Sequence, residues 1–211
     1  DNKVKKIVYA SSGGACYGEP EKIPCDESHP ISPVSHYGVS KHCAEHYVWL
    51  YAHLYGIDFN ILRYANVYGP RQDPLGEAGV VAIFLGKLKN GEKPQIFGDG
   101  EQTRDYVYVG DVARANLLAL EKETKSRIFN IGTGKETTVN QIFSMVKEAA
   151  GSDIEAVNTP AVAGEVQRIS LDCKKAEDEL GWKPEAGLKE GLKMTADWFL
   201  GKQGSSGKEK S

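Results

Sequence analysis

The sequence predicts an α/β protein built on a parallel, right-handed, doubly wound sheet. Short apolar runs that favour strands alternate with longer helix-forming segments along most of the 211 residues. Such alternation is typical of parallel strands joined by crossover helices. The first run, Lys3 to Ser12, ends in paired serines followed by Gly13-Gly14. This ending indicates a buried strand that delivers hydroxyls to a sheet edge, where glycine lets a ligand approach the backbone.

The remaining elements follow from periodicity, capping residues and turn residues. The first half predicts a strand at about 5–11, a Pro- and Gly-rich loop over 17–33, a helix at about 35–54 stopped by Gly56, a strand over 57–64 and a turn-rich exit over 66–71. The second half predicts helices near 77–89, 109–121, 138–150, 174–180 and 188–200, and strands near 94–97, 104–109, 127–131 and 154–157. A capping box, Thr138 to Gln141, marks the start of the third of these helices.

Composition excludes several classes of protein. The net charge of −3 and the pI near 6.0 argue against a nucleic-acid partner, which requires a concentrated basic face. No apolar run approaches the roughly 20 residues of a membrane span, and we expect no signal peptide. The four cysteines lack CxxC spacing, so we expect free thiols and a cytoplasmic protein. Because a strand begins almost directly after Asp1, we expect a fragment.

Tyr37 and Lys41 are the strongest candidates for catalysis. They stand four residues apart in a predicted helix and therefore share one face. A nearby ammonium favours the phenolate and lowers a tyrosine pKa from its usual value near 10. The pair therefore predicts a tyrosine that acts as a general base near neutral pH.

Several further motifs accompany this pair. They are Ala10 to Gly18, Leu62 to Arg71, Ile96 to Gly100, Arg104 to Val109, Phe129 to Gly134, Gly164 to Val166 and Glu179 to Trp182. In order and spacing, over about residues 3–200, they resemble the NAD-dependent epimerase/dehydratase family of extended short-chain dehydrogenases. The resemblance implies the C-terminal part of a doubly wound Rossmann-type sheet over 1–75 and 105–135. It also implies a small α/β sugar-nucleotide-binding region over 76–104 and 136–200, and we expect a disordered tail over 201–211.

The resemblance implies an NAD-dependent 4-epimerisation of a UDP-hexose. Tyr37 would take the proton of the sugar 4-hydroxyl while hydride leaves C4, and Lys41 would hold the nicotinamide ribose and lower the tyrosine pKa. The 4-keto sugar would turn over before hydride returns. The implied cofactor-binding residues are Ser11, Ser12, Tyr37, Lys41, Tyr64 and Ala65, and the implied substrate-binding residues are Asn66, Val80, Phe97, Arg104, Glu165 and Ile169. A homodimer is also implied, with the Tyr37 helix at its interface.

The chain departs from the family pattern at its cofactor loop. The family opens with a strand, a G-x-G-x-x-G loop and a helix that seat the pyrophosphate of NAD. Gly132-Thr-Gly134 follows a strand, but its third glycine position is Thr137, so we interpret it as a loop. We therefore expect weak NAD binding by these residues alone.

Two single positions also differ from the pattern. Gly13 occupies the place of the catalytic hydroxyl of many epimerases, which leaves Ser12 as either a catalytic hydroxyl or a structural one at the strand end. Val162 stands where an arginine commonly pairs with the substrate diphosphate, and that charge would then come from Arg104 or Arg168. These departures keep a second hypothesis open, a non-catalytic or truncated relative that binds a sugar nucleotide.

Four further features bear on metal binding, on the substrate and on the helix surface. His42 to His46 match H-x-x-E-H, but we interpret them as solvated helical histidines and expect no metal. Residues 12–15 carry no carboxylate, which favours an epimerase over a 4,6-dehydratase. Ile169, implied to line the sugar pocket, is of intermediate size, so UDP-glucose/galactose is predicted and N-acetyl sugars stay open. The aromatic cluster Tyr47, Trp49, Tyr51 and Tyr55 is expected in the core and at a dimer contact.

We predict that these 211 residues alone bind NAD weakly, because no dinucleotide loop is present to hold the pyrophosphate. Isothermal titration with NAD measures this directly. A micromolar dissociation constant would contradict the prediction and would point to a different NAD site.

Overall fold

Strands and helices alternate through the chain. The computed structural model describes residues 3–75, 79–162 and 164–202. The strands are β1 (Lys6–Ser12), β2 (Asp58–Tyr64), β3 (Asn66–Tyr68), β4 (Gln95–Phe97), β5 (Thr103–Arg104), β6 (Tyr106–Tyr108), β7 (Ile128–Ile131), β8 (Thr137–Thr138) and β9 (Val157–Thr159). The α-helices are α1 (Gly13–Cys16), α2 (His36–Tyr55), α3 (Val80–Lys89), α4 (Val109–Glu121), α5 (Val139–Ala150) and α6 (Leu188–Phe199), and a π-helical turn spans Ala176–Leu180.

Three parallel strands in the order β1-β2-β7 form the main sheet. Ser12 pairs with Tyr64, and Tyr64 pairs with Ile131, so the strands reach their carboxyl ends at one common edge. Ligands of α/β proteins bind at this edge. The expected α/β fold with a parallel, Rossmann-type sheet is confirmed.

Helices α2 and α4 cover opposite faces of this sheet. Arg63 of β2 bonds to Glu45 of α2, whereas its neighbour Tyr64 bonds to Asn116 of α4. Successive side chains of a strand point to opposite faces, so the two helices must lie on opposite sides. The sheet is therefore doubly wound.

The chain divides into two compact units. The first contains the described residues of Asp1–Val67, Gln102–Thr137 and Ala163–Glu185, and the second contains those of Tyr68–Glu101, Thr138–Val162 and Ala186–Ser211. The division places residues 68–75 in the second unit and residues 164–185 in the first, whereas the predicted regions have the reverse. Leu171 and Trp182 are fully buried in the core of the first unit, and the Trp182 indole donates to the Asp111 carbonyl. Packing assigns this segment to the unit that holds the sheet.

The second unit is a layer of α3, α5 and α6 with a short parallel pair, β4 and β9. Phe84 and Phe143 meet edge to face at 5.4 Å between ring centroids in its core. The predicted capping box begins α5 as expected, since Gln141 N–H donates to Thr138 Oγ1 and the Gln141 side chain accepts from Thr138 N–H.

Several predicted elements need correction. Residues 13–16, which lie between the predicted strand and the predicted loop over 17–33, form α1, because the Ser12 hydroxyl caps their first turn. The predicted strand near 154–157 lies at Val157–Thr159. The predicted strand over 104–109 is interrupted at Asp105, whose side chain accepts a hydrogen bond from Thr133 N–H. Asn66–Tyr68 is a strand rather than a turn. Residues 77–78 of the helix expected near 77–89, and residues 203–211 of the expected tail, lie outside the described residues.

The expected core position of the aromatic cluster on α2 is wrong. Its side chains are between 52% and 67% exposed, namely Tyr47, Trp49, Tyr51 and Tyr55. The face of α2 that packs against the sheet instead carries Glu45 and Ala52, which are both buried.

Two global properties concern the described part of the chain. None of its helices is both long and apolar enough to cross a bilayer. The four cysteines are free thiols, and Cys16 and Cys25 are buried.

We predict that Ser35→Ala lowers the free energy of unfolding by about 1 kcal/mol, the usual value of an N-cap. The Ser35 hydroxyl caps α2 by accepting from Gly38 N–H at 3.1 Å. Urea denaturation of the full-length polypeptide measures the change. Ser40→Ala is the matched control on the same helix, because the exposed Ser40 hydroxyl only donates to the Tyr37 carbonyl within the helix. Equal effects of the two substitutions would contradict the capping role.

Candidate active site

The first turns of α2 lie beside the carboxyl end of β1. The backbone of α2 comes very close to α1, because a Cβ added to Gly38 would lie 2.3 Å from the Ala15 carbonyl oxygen. Any larger residue at this position would displace the start of the helix. Gly38 therefore helps to place its neighbour Tyr37 next to the strand end.

Lys41 connects the strand end to the tyrosine. Its Nζ donates to the Ala10 carbonyl of β1 at 3.0 Å and lies 5.7 Å from the centroid of the Tyr37 ring. It also lies 5.5 Å from the centroid of the Tyr9 ring. Tyr37 is 47% exposed, so the phenol is accessible from solvent. The structure thus brings together the ammonium and the phenol that the sequence singled out.

The two serines at the end of β1 have different partners. Ser12 Oγ accepts from Ala15 N–H at 3.3 Å as the N-cap of α1, which is the structural role that the sequence left open. A hydroxyl that accepts this bond still carries a hydrogen that it can donate. Ser11 is 2% exposed and donates to Glu45 Oε1 at 2.5 Å. The expected cofactor role of the Ser11 side chain stays a prediction, and its hydroxyl points into the protein.

Glu45 and Arg63 form a buried ion pair that sequence reasoning missed. Arg63 Nε and Nη2 donate to the two carboxylate oxygens of Glu45 at 2.9 and 2.6 Å, and both side chains are 4% exposed. Burial opposes ionisation of Glu45, but hydrogen bonds from Arg63 and Ser11 outweigh it and lower the pKa of this carboxyl. The spacing of Glu45 from Lys41, one helical turn, was the available signal.

The network continues from Arg63 across the sheet. Arg63 Nη1 donates to the Tyr17 hydroxyl at 3.1 Å, and this hydroxyl donates to Asn130 Oδ1 on β7 at 2.8 Å. The Asn130 side chain in turn donates to the carbonyls of Cys25 and Asp172. Burial raises the pKa of Tyr17, so this phenol stays protonated as the donor. One chain of polar contacts thereby links α2 with β2 and β7.

The remaining residues with an implied cofactor role lie at the end of β2. The Tyr64 hydroxyl donates to Asn116 Oδ1 at 2.8 Å, and burial raises the pKa of this phenol. Ala65 is 9% exposed, and its N–H donates to the Ile131 carbonyl at 2.9 Å. Both residues therefore stand at the same sheet edge as Lys41.

The fold brings together Arg104 and Glu165, although 61 residues separate them in the sequence. Arg104 Nη2 donates to Glu165 Oε1 at 2.8 Å, and its Nη1 donates to the Thr103 carbonyl. Asn66 is half-buried beside Gly14, since a Cβ on that glycine would lie 3.6 Å from Asn66 Oδ1. These polar groups supply donors and acceptors suited to a nucleotide.

Three other residues with implied substrate roles occupy separate environments. Ile169 is 1% exposed in the core of the first unit, so its expected place in the sugar pocket stays a prediction. Val80 is half-buried as the first residue of α3, and Phe97 is 45% exposed at the end of β4. These last two belong to the second unit.

Residues 1–132 match the family model described as the NAD dependent epimerase/dehydratase family. The chain belongs to this family. NAD is the cofactor that its description states.

Relatives of this family extend the match over nearly the whole chain. A putative UDP-glucose 4-epimerase of Methanocaldococcus jannaschii is 59% identical over 196 residues, which cover 93% of this chain and 63% of that protein. The crystal structure of UDP-glucose 4-epimerase from Thermotoga maritima with UDP-glucose is 52% identical, with a TM-score of 0.90, and the match covers 95% of this chain and 65% of that one.

A third relative differs in its sugar. It is the UDP-N-acetylglucosamine 4-epimerase of Methanobrevibacter ruminantium M1 in complex with UDP-N-acetylmuramic acid, which is 35% identical with a TM-score of 0.86. The match covers 95% of this chain and 64% of that one. The chain thus spans just under two thirds of the length of the epimerases that it matches.

The Gly132–Gly134 loop does not serve as the dinucleotide loop of the family. The backbone N–H groups of Thr133 and Gly134 both donate to the buried carboxylate of Asp105, and Gly132 N–H donates to Cys173 Sγ at 3.0 Å. A pyrophosphate would need such N–H groups as its own donors. Their contacts within the protein support the interpretation of this segment as a loop.

Glu45 is also the carboxylate of the H-x-x-E-H pattern. Its carboxylate is committed to Arg63 and Ser11, and His42 Nδ1 lies 3.3 Å from Glu45 Oε2. His46 Nε2 lies 3.1 Å from His42 Nε2 at the helix surface. Within residues 3–75, 79–162 and 164–202, His, Cys, Asp and Glu form no group of three or more that could hold a metal ion.

Proposed function

We propose that the protein containing this chain epimerises a UDP-hexose at C4 with NAD, and that Tyr37 is its general base. The observation that carries the proposal is the position of Lys41 between the Ala10 carbonyl and the Tyr37 ring at the edge of the parallel sheet. The names of the UDP-glucose 4-epimerase relatives support the same reaction class.

Lys41 and Tyr37 fit the nicotinamide riboside half of NAD. The exposed ammonium of Lys41 carries three N–H donors, of which one is committed to the Ala10 carbonyl, and the others suit ribose hydroxyls. The described residues offer no glycine-rich loop with N–H groups directed at a pyrophosphate, as the Asp105 contacts of Thr133 and Gly134 indicate. NAD, when bound, would supply the group that accepts two electrons from the sugar and returns them.

Tyr37 moves the proton of the reaction. As a phenolate it accepts the proton of the sugar 4-hydroxyl, and on the return it gives that proton back to the 4-oxygen. The adjacent ammonium of Lys41 favours the phenolate through its charge. Ser12, at the end of β1, offers a hydroxyl that can donate to the sugar oxygen.

Arg104, Glu165 and Asn66 bind the nucleotide part of the substrate. A guanidinium presents paired donors that match phosphate oxygens, whereas a carboxylate accepts from ribose hydroxyls. Arg104 and Glu165 are in contact at 2.8 Å, so both groups can engage one nucleotide. The substrate roles of Val80 and Phe97, which belong to the second unit, stay predictions. Val162, at the place of a common arginine, is 51% exposed.

A homodimer and a cytoplasmic location complete the proposal. The exposed aromatic cluster of α2 supplies an apolar surface of the kind that protein interfaces contain. Free cysteines suit a reducing compartment.

We predict that Tyr37→Phe lowers kcat of the full-length polypeptide by at least about 10²-fold, because the variant lacks the general base. Binding of the UDP-sugar, measured by titration, should persist. Tyr55→Phe, the same change at an exposed position near the end of α2, is the matched control. Wild-type turnover by Tyr37→Phe would refute the assignment. A wild-type protein that binds UDP-sugars without epimerising them would favour the non-catalytic relative instead.

We predict that UDP-galactose is a better substrate than UDP-N-acetylgalactosamine, and that Ile169 influences this preference. Removing one methylene with Ile169→Val should shift the ratio of the two kcat/KM values by about tenfold, the usual value of a methylene in an apolar pocket. Ile131→Val is the matched control in the same core. An unchanged ratio would mean that Ile169 only fills the core. A larger kcat/KM on the N-acetyl sugar would overturn the substrate prediction.

A further inference from the structure

Tyr37, Lys41 and Glu45 form one stripe on α2, each one turn after the last. Exposure falls along this stripe, from 47% at Tyr37 to 4% at Glu45. Lys41 and Glu45 both contact β1, since Lys41 Nζ donates to the Ala10 carbonyl and the Ser11 hydroxyl donates to Glu45. The buried end of the stripe is therefore attached to the strand that carries the site.

The contacts of Glu45 restrict both rotation and translation of α2. A bidentate contact with Arg63 fixes the plane of the carboxylate, because two parallel hydrogen bonds allow one orientation. The Ser11 hydroxyl adds a third bond from a different strand. Since Glu45 follows Lys41 by one turn, any rotation of the helix that moves Glu45 also moves Lys41 and Tyr37.

The third guanidinium nitrogen of Arg63 is also engaged. Its Nη1 donates to Tyr17, whose hydroxyl donates to Asn130 of β7. Hydrogen bonds thus connect Glu45 to all three strands β1, β2 and β7. These are the strands whose carboxyl ends form the edge beside Tyr37.

We propose that Glu45, held by Arg63, is the positioning residue of the catalytic tyrosine: it sets the height and rotation of α2 so that Tyr37 and Lys41 meet the reacting sugar. This inference rests on the proposed function. Glu45 itself does not touch the substrate. A misplacement of about 1 Å in a catalytic group can lower the rate by about 10²-fold, so loss of this attachment would reduce turnover.

A contribution to stability alone would not require this arrangement. Replacing a buried ion pair by apolar side chains of similar volume is often neutral or stabilising, whereas removing one partner leaves a costly buried charge. Packing could therefore hold α2 on the sheet without Glu45 and Arg63. What apolar packing lacks is the single orientation that the bidentate pair imposes.

The test is Glu45→Gln in the full-length polypeptide, assayed as a UDP-hexose 4-epimerase. We expect kcat to fall by about tenfold or more, with KM for the UDP-sugar close to wild type, because nucleotide contacts are untouched. Amide hydrogen exchange over residues 36–44 should also become faster, which is a readout independent of activity. A kcat near wild type, or unchanged exchange over 36–44, would overturn the proposal.

Asp111→Asn is the matched control. Asp111 is also a buried carboxylate paired with an arginine, since it accepts from Arg114 at 2.9 Å, but it lies on α4 and also accepts from Glu185 N–H. The control should lose stability without a fall in kcat or faster exchange in 36–44. If both variants change kcat equally, the role of Glu45 is only structural and the proposal fails.

A second variant covers the case in which Glu45→Gln does not fold. Glu45→Met with Arg63→Met removes both charges together, so no buried charge is left unpaired. We expect this double variant to fold and to show the same loss of kcat, and wild-type turnover would overturn the proposal. Absence of epimerase activity in the wild-type protein would refute the proposed function instead, and the exchange experiment would still decide whether Glu45 positions α2.

Discussion

Two opposite charges, Glu45 and Arg63, are held together between helix α2 and the sheet, away from water. Ionised groups are costly to bury unless each donor and acceptor has a partner. Both oxygens of Glu45 accept hydrogen bonds from Arg63, and one of them also accepts from Ser11. All three guanidinium nitrogens of Arg63 donate, two of them to Glu45 and the third to Tyr17. This requirement fixes the register between α2, β1 and β2, and the position of the site follows from that register.

A similar device orders the loop after β7. The carboxylate of Asp105 accepts from the backbone of Thr133 and Gly134, from the Thr133 hydroxyl and from Leu171 N–H. Burial raises the pKa of Asp105, and the hydrogen bonds from Thr133 oppose this rise. A buried acceptor thus organises several N–H groups that would otherwise lack partners. In both places, polar groups rather than apolar packing determine the orientation of backbone near the sheet edge.

The side chains of the proposed site differ in exposure from the residues that support them. Tyr37 is half-exposed and next to an ammonium, which suits the proton exchange that we propose for it. Ser11, Glu45 and Arg63 behind it are buried and fully engaged. A site whose attachment lies in the protein interior can be open to ligands while its geometry stays defined.

Local sequence patterns determined a large part of this structure. The periodicity and the caps of α2 and α5 predicted their bounds to within about a residue, because a capping serine or threonine and a terminal glycine act on the backbone next to them. The spacing of Tyr37 and Lys41 placed them on one face for the same local reason. Short strands such as β3 and β9 were placed less well, because their pairing depends on distant partners.

Only the tertiary structure decided which face of α2 is buried and what each polar residue contacts. The sequence made the aromatic side of α2 a core candidate, whereas the buried face carries a carboxylate whose partner, Arg63, comes from a strand 18 residues further along the chain. Ser11 and Ser12 are adjacent and chemically identical, yet the alternation of a strand end directs one towards Glu45 and the other to the cap of α1. Arg104 and Glu165 meet across 61 residues. Local propensity extends over one or two turns, so contacts between distant residues follow only from the way in which the whole chain packs.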